Sequence, residues 1–357
     1  MRLELEKRPE RSARMAIASP FLAVALTLVV GAMIFAAIGV NPARGLYVLF
    51  VEPLTQGWSL QELVVKATPL VLIACGLLVC YLANTWNIGA EGQFVMGGVV
   101  GSILPVLLPD FANPLTLPLM LVMGVLGGMA WAAIPAFLKV RFGTNEILTS
   151  LMLVYVAQLF LDWLVRGPWR DPAGYNFPES RVFSAAASMP VLGDGRMSIG
   201  AIIALLVVAA LAVLLSRTLK GFEIKVLGQA PRAGAFAGFS QKKMVVFAFL
   251  LAGGLAGLAG IMEVSGSIGQ LLPTISPGYG FAAIIVAFLG RLNPLGALVA
   301  GLVLALSYIG GESAQIALGV SEKITRVFQG MLLFFVLACD TLILYRFRLV
   351  RSAPATA

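Results

Sequence analysis

Apolar residues run along the chain in long blocks, each about as long as a bilayer is thick, and polar residues gather in the gaps between them. A membrane-crossing helix needs roughly 20 mostly apolar residues. Ten segments meet or approach that length: residues 15–38, 63–83, 90–108, 115–138, 145–165, 198–216, 244–262, 278–290, 294–311 and 324–345. The eighth is too short to cross alone. Continued into residues 291–294, or entered from a re-entrant loop, it reaches the far side, because irregular backbone survives at membrane depth where protein or water covers it. The pattern predicts an all-α polytopic membrane protein of about ten helices, with discontinuous segments and a weak two-half repeat. A basic N-terminus (1–14) and a short tail (346–357) flank a membrane domain at 15–345.

Composition removes the soluble alternative. Lys, Arg, Asp and Glu make up 12% of the 357 residues, against about 25% in soluble domains, and mean hydropathy is +0.95. So few charges leave most of the surface apolar, which only a bilayer tolerates over such an area. The chain has no histidine, so the commonest general base at neutral pH and the imidazole metal sites are missing. Cys75, Cys80 and Cys339 lie scattered in apolar stretches and form no Cys-x-x-Cys pair, which points to neither a disulfide framework nor a metal site.

Charge placement sets orientation. The first span follows Arg2, Lys7, Arg8, Arg11 and Arg14 but is too long for a signal peptide's apolar region, so it stays attached. With the N-terminus inside, 17 of the 25 Lys and Arg fall on the cytoplasmic side. The positive-inside rule then predicts both termini in the cytoplasm, and the net charge of +8 needs no nucleic acid partner.

Two polar interruptions stand out. The first, residues 84–93 (NTWNIGAEGQ), carries no Lys or Arg. Glu91 and Gln93 open an apolar helix there; an acid at membrane depth normally faces a bundle interior or a water-filled cavity, and a helix N-terminus would also stabilise the carboxylate. Pathway and helix cap both remain open for Glu91. The second runs from Glu263 through Gln270 to Pro273, Pro277 and the Gly278-Tyr279-Gly280 run, and follows the seventh span as the first follows the second. Breaks at matching positions in two halves point to a transport site near the midplane. The candidate pathway residues are Trp86, Asn87, Glu91, Gln93, Glu263, Gln270, Tyr279 and Phe281. Gly253, Gly254, Gly257 and Gly260 read as tight helix packing. Asp162 and Asp340 read as hydrated charges at span ends, lacking an evident basic partner within the membrane.

The longest extramembrane segments, the outer loop 166–197 and the cytoplasmic loop 217–243, are too short to fold into an ATPase. No G-x-x-x-x-G-K-[ST] run occurs. Any uphill transport therefore draws on a partner or an ion gradient. Loop 217–243 carries six basic residues against Glu223. Within it Pro231 can open a short helix and Gly238 close it, leaving Arg232, Phe236 and Phe239 on a small-residue rod suited to a partner's groove. Two exposed phenylalanines there call for a covering surface.

Several strings together resemble the permease subunits of bacterial ABC importers, in the branched-chain amino acid, ribose and nucleoside permease family. Residues 84–93 are similar to its N-x-x-N-I-G-x-E-G-Q block, and residues 228–239 (GQAPRAGAFAGF) to its cytoplasmic coupling segment, departing from the usual pattern at 233–237. Residues 169–180 (WRDPAGYNFPES) and 278–297 resemble the nucleoside-type branch. The resemblance implies one of two paired permeases, often non-identical, above two cytoplasmic ATPase subunits, with an extracytoplasmic binding protein delivering substrate. It implies no enzyme activity and no cofactor in this chain, since ATP is used by the partner. Carried over, Gly228, Gln229, Arg232, Ala233, Phe236 and Gly238 belong to the coupling segment, with Arg232 set against an acidic rim on the ATPase. Nucleosides are the implied cargo and ribose-like sugars the alternative. An ion-coupled transporter using Glu91 or Glu263, and an intramembrane enzyme, are the rivals from other classes.

Overall fold

The computed structural model describes residues 2–7, 13–109, 111, 113–193, 195–321 and 323–350. The side chains of the basic N-terminus (1–14), of Asp340 and of tail residues 346–357 lie outside the described residues. In chain order the helices are α1 (Ala13–Ala37), α2 (Pro42–Phe50), α3 (Glu52–Thr55), α4 (Gly57–Leu82), α5 (Ala90–Gly101), α6 (Ile103–Leu107), α7 (Thr116–Phe142), α8 (Glu146–Arg166), α9 (Gly200–Arg217), α10 (Leu219–Gln229), α11 (Pro231–Phe236), α12 (Gln241–Glu263), α13 (Tyr279–Leu289), α14 (Pro294–Leu318) and α15 (Lys323–Leu344). Among the described residues, seven helices are long and apolar enough to cross a membrane. A π-helical turn, Val264–Ile268, extends α12.

All ten apolar blocks became helix, so the chain is a multi-pass all-α membrane protein. Among the described residues, β1 (Arg2–Lys7) and β2 (Tyr345–Val350) add a two-stranded antiparallel ribbon. The stretch expected at 15–345 comprises parts of two compact units, residues 1–55 with 307–357 and residues 56–306. In the first unit, Phe35, Leu49 and Phe328 form a buried cluster. Asn41 caps α2, its Oδ1 accepting from the Ala43 N–H at 3.0 Å, with Pro42 in the first turn. That Asn-Pro start signal was legible in the sequence, although the helix was not among the expected elements.

The second unit is built around α4. Every residue from Pro69 to Tyr81 is buried, as a helix apolar on all sides must be when protein surrounds it. Helices α5, α7 and α12 close on one another through glycines: a Cβ at Gly97 would overlap Gly257, and one at Gly253 would strike the Gly128 backbone. Small residues permit such close backbone approach between membrane helices, which accords with the packing role expected of the α12 glycines.

Contacts sort the connections of this unit to two ends. At one, the basic end, Gly228 of α10 lies against the carbonyl end of α4 at Leu82, Trp86 stacks on Phe288 with centroids 6.1 Å apart, and Lys139 pairs with Glu146 at 2.6 Å. At the other, Arg196 pairs with Glu62, while the Ser180, Phe183 and Met189 N–H groups donate to the carbonyls of Leu271, Gly269 and Ser265. Successive spans thus alternate direction as the apolar pattern requires.

Candidate functional site

After α4 the chain does not turn back at the surface. Residues 85–89 run non-helical into the unit before α5 begins, with Thr85, Asn87 and Gly89 buried. The depth of this break is set by α8, whose 21 residues span about 31 Å. Val154, beside Gly92, stands eight residues in from the basic end, about 12 Å deep. With Gly89 beside Ser150, four residues in, helix α5 therefore starts within the span, about 6–12 Å from the basic end. From the opposite end, residues 269–278 descend without helix to the start of α13. A Cβ at Gly280 would overlap the backbone of Glu91, so the two half-helix N-termini meet at the same depth. Irregular backbone is tolerated there because protein covers it.

Each N-terminus leaves backbone N–H groups that need acceptors. At α5, Asn87 Oδ1 accepts from the Gly89 N–H at 2.9 Å and from Gln93 Nε2 at 3.1 Å, while Asn87 Nδ2 donates to Gln93 Oε1 at 3.0 Å. The two amides satisfy each other in a fully buried pair. The Tyr81 hydroxyl donates to the Asn87 carbonyl at 3.2 Å. At α13, Ser276 Oγ accepts from the N–H groups of Gly278 and Tyr279, both at 3.0 Å. The Gly280 N–H donates to the Glu91 carboxylate at 2.6 Å, across 189 residues of sequence. Glu91, 1% exposed, is thus a cap for the opposing half-helix, with the helix dipole favouring its charge.

Above this junction opens a cleft of about 470 Å³, with Glu91 and Ser276 in its wall. Thr274 lines one side; Tyr155, Gln158, Asp162 and Arg166 of α8 line the other. Its volume lies within the range of small-molecule sites. The one ion pair among the lining residues, Asp162 with Arg166 at 2.8 Å, joins one turn of α8 to the next. Both side chains are partly exposed and Arg166 is the last residue of α8, as expected of a hydrated charge at a span end. Glu91 thus caps the opposing half-helix rather than its own, and also forms part of the cleft wall.

The other expected pathway residues spread more widely. Trp86 joins Tyr81 and Phe288 in a three-ring stack at the basic end. Tyr279 is buried edge-on against Phe94 at 6.1 Å, and Phe281 is 38% exposed, outside the cleft lining. Gln270 donates to Glu179 of the outer loop at 2.9 Å. Glu263 lies beside a separate cavity of about 20 Å³ with Thr68, Ser198 and Ser267, room for about one water. The structure brings Asn87, Glu91 and Gln93 together and keeps Glu263 and Gln270 apart from them. Residues 155, 158, 162 and 166, spaced three, four and four apart, form a polar stripe on one face of α8, whose other residues from 151 to 165 are apolar. That periodic signal could have found them.

On the basic end, α11 carries the candidate coupling residues. Pro231 opens it and Gly238, at φ +83°, ends it. Arg232, Ala233 and Phe236 are exposed, Phe236 to 94%. Phe239 instead meets Phe222 edge-on at 6.2 Å and is half-buried, so Phe236 stands out as the bare ring of the expected pair. Gly228 and Gln229 end the preceding α10, which the sequence left as loop.

Comparison with known proteins agrees with this architecture. The family of branched-chain amino acid transport system permease components matches residues 59–337. The chain is 37% identical to the glucose ABC transporter permease protein TsgB13 of Haloferax volcanii, over 100% of this chain and 98% of the relative. It is 29% identical to the nucleoside ABC transporter permease protein NupB of Lactococcus lactis, over 89% of each. It is 27% identical to the guanosine ABC transporter permease protein NupP of Bacillus subtilis, over 89% and 92%.

Proposed function

The chain belongs to the family of branched-chain amino acid transport system permease components, and from that premise we propose that it is the transmembrane permease subunit of an ATP-driven importer that takes up nucleosides across the cytoplasmic membrane. The observation that carries this reading is the cleft floored by two opposed half-helix N-termini, the arrangement in which broken helices serve a transport site at the midplane. Apart from Glu91 and the Asp162–Arg166 pair its polar walls are neutral, which suits an uncharged, hydroxyl-rich cargo held weakly enough to be released. The relatives NupB and NupP support the nucleoside reading. A simple sugar is the second reading, favoured by the full-length similarity to TsgB13.

Energy enters from cytoplasmic ATPase subunits, and an extracytoplasmic binding protein brings the cargo to a pair of such permeases. The basic end faces the cytoplasm on the positive-inside argument. Pairing of β1 with β2 supports both termini sharing one side of the membrane. Docked in an ATPase groove with Arg232 on an acidic rim, α11 moves as a lever. Its Gly234 seats on Leu227 of α10, and Gly228 of α10 seats on the end of α4. Displacement of α11 thus reaches the first break directly, and rocking of packed elements between two arrangements opens the cleft to alternate sides.

The test is uptake in proteoliposomes. The assembled transporter with binding protein and ATP accumulates labelled nucleoside, with glucose as competitor to decide between the readings; the chain alone accumulates neither. Uptake by the lone chain under an ion gradient sinks the importer reading. Arg232→Glu inserts normally and hydrolyses ATP without transport; wild-type uptake by that variant removes α11 as the coupling element.

A further inference from the structure

A second concavity lies away from the pathway, between α7 and α12. Val125 and Met129 form one wall, Phe247, Leu251, Gly254 and Leu255 the other, and every lining residue is apolar or glycine. Its volume is about 300 Å³. From Phe247 to Leu255 it runs eight residues of α12, about 12 Å, close to the depth of one leaflet's hydrocarbon, about 15 Å. Glycine at 254 keeps the floor open: a Cβ there would meet Met129 Cγ at 3.1 Å. A groove without a polar atom to orient a solute does not fit the hydroxylated cargo of the cleft.

Its basic end is charged. Lys220 Nζ sits 4.8 Å from the centroid of the Phe247 ring, and its other neighbour is Glu223 at 2.8 Å. Lys243 precedes Phe247 by four residues, so it stands on the same helix face one turn nearer the membrane surface, and it is exposed. We infer that this groove is a site for one acyl chain of an anionic phospholipid, whose phosphate is held between Lys220 and Lys243. Basic positions where membrane helices meet the surface attract acidic headgroups, each cation adding to the affinity. The apolar wall selects a hydrocarbon chain, and the two ammonium groups select the headgroup. The site lies outside the cargo pathway and does not depend on which cargo that pathway carries.

The experiment uses the full-length chain, purified and stripped of lipid, then offered equal amounts of phosphatidylglycerol and phosphatidylcholine in mixed micelles, with retained lipid identified by native mass spectrometry. Wild type retains phosphatidylglycerol several-fold over phosphatidylcholine. The double variant Lys220→Gln, Lys243→Gln keeps a lipid but loses the preference, whereas Leu251→Trp, which fills the groove, retains less of either. Equal retention by wild type, or an undiminished preference in the double lysine variant, overturns the proposal. Cross-linking of Leu251→Cys to another polypeptide in native membranes overturns it too, because the groove is then a protein interface.

Discussion

The two helix breaks solve one physical problem in different ways. Both bring an irregular segment within the membrane span and start a half-helix there, and both must satisfy the N–H groups of that start. The first does so mostly from nearby residues: Asn87 Oδ1 takes the Gly89 N–H just ahead of α5, and Asn87 and Gln93, six residues apart, saturate each other. The second borrows. Ser276 is local, but the remaining acceptor is the carboxylate of Glu91, delivered by the opposite half of the chain. The first break leans on its neighbours through the Ile88 N–H, which donates to Ser150 Oγ of α8 at 3.2 Å, and the Tyr81 hydroxyl of α4, while the start of the second half-helix is held only as long as α5 stays against α13. The outer loop reinforces this dependence through its bonds to Ser265, Gly269 and Leu271. Where two rigid elements slide past each other in transport, the conditional junction is the one expected to open.

The largest effect should come from forcing that junction apart. In Gly280→Val the new Cβ occupies the space of the Glu91 backbone, which cannot swing aside as a side chain would. Overpacking of this kind should cost about 3 kcal/mol, the upper end of the usual range, read as loss of monodisperse protein on detergent size exclusion. The counterpart at the first break, Gly89→Ala, meets the Ser150 Cβ and carbonyl oxygen, both at 2.9 Å against 2.2 Å to Glu91 N at Gly280, and should be milder. Equal losses would break the asymmetry drawn between the two.

Next in size is Asn87→Ala. It leaves the buried Gln93 amide without its partner and uncaps Gly89, so about 3 kcal/mol should be lost, from an unsatisfied buried group at about 1–3 kcal/mol plus the missing bonds. Ser276→Ala removes a local cap while Glu91 remains, and about 1 kcal/mol is expected. Unfolding in mixed micelles of rising SDS content measures both. A Ser276→Ala loss matching that of Asn87→Ala would mean that Glu91 contributes no independent support.

Much of this was legible beforehand, and what was not has a common cause. The positions of both breaks, the ends of α8 and the Pro231–Gly238 bounds of the rod follow from local rules: apolar run length, Asn145 as a cap, and proline and glycine at helix ends. Glu91 was singled out by its cost at membrane depth. Its acceptor role toward Gly280, the pairing of the outer loop with residues 265–271, and the closure of Phe239 on Phe222 all depend on side chains far apart in sequence, which no local period encodes. Residues 155–166 are the exception. Their polar stripe was local and periodic; Asp162 was singled out, but as an isolated span-end charge, without the Tyr155, Gln158 and Arg166 that share its face.

The smallest expected effect discriminates most sharply between a charge that holds a helix and a charge that carries an ion. Glu91 and Glu263 line separate cavities, and among the cleft and cavity residues nothing links one carboxylate to the other as a relay would require. As a cap, Glu91 needs only an acceptor oxygen, which glutamine retains; exchanging a charged acceptor for a neutral one should lower stability by about 1 kcal/mol. The double variant Glu91→Gln, Glu263→Gln, assembled with its ATPase and binding protein, should therefore import at close to the wild-type rate, with ATP hydrolysis still coupled. An ion-coupled carrier with either residue as its site would lose transport altogether in that variant, since an amide cannot bind and release a proton or hold a cation as a carboxylate does. Abolished uptake in a correctly assembled double variant would make the second break a titrating site rather than a capped hinge.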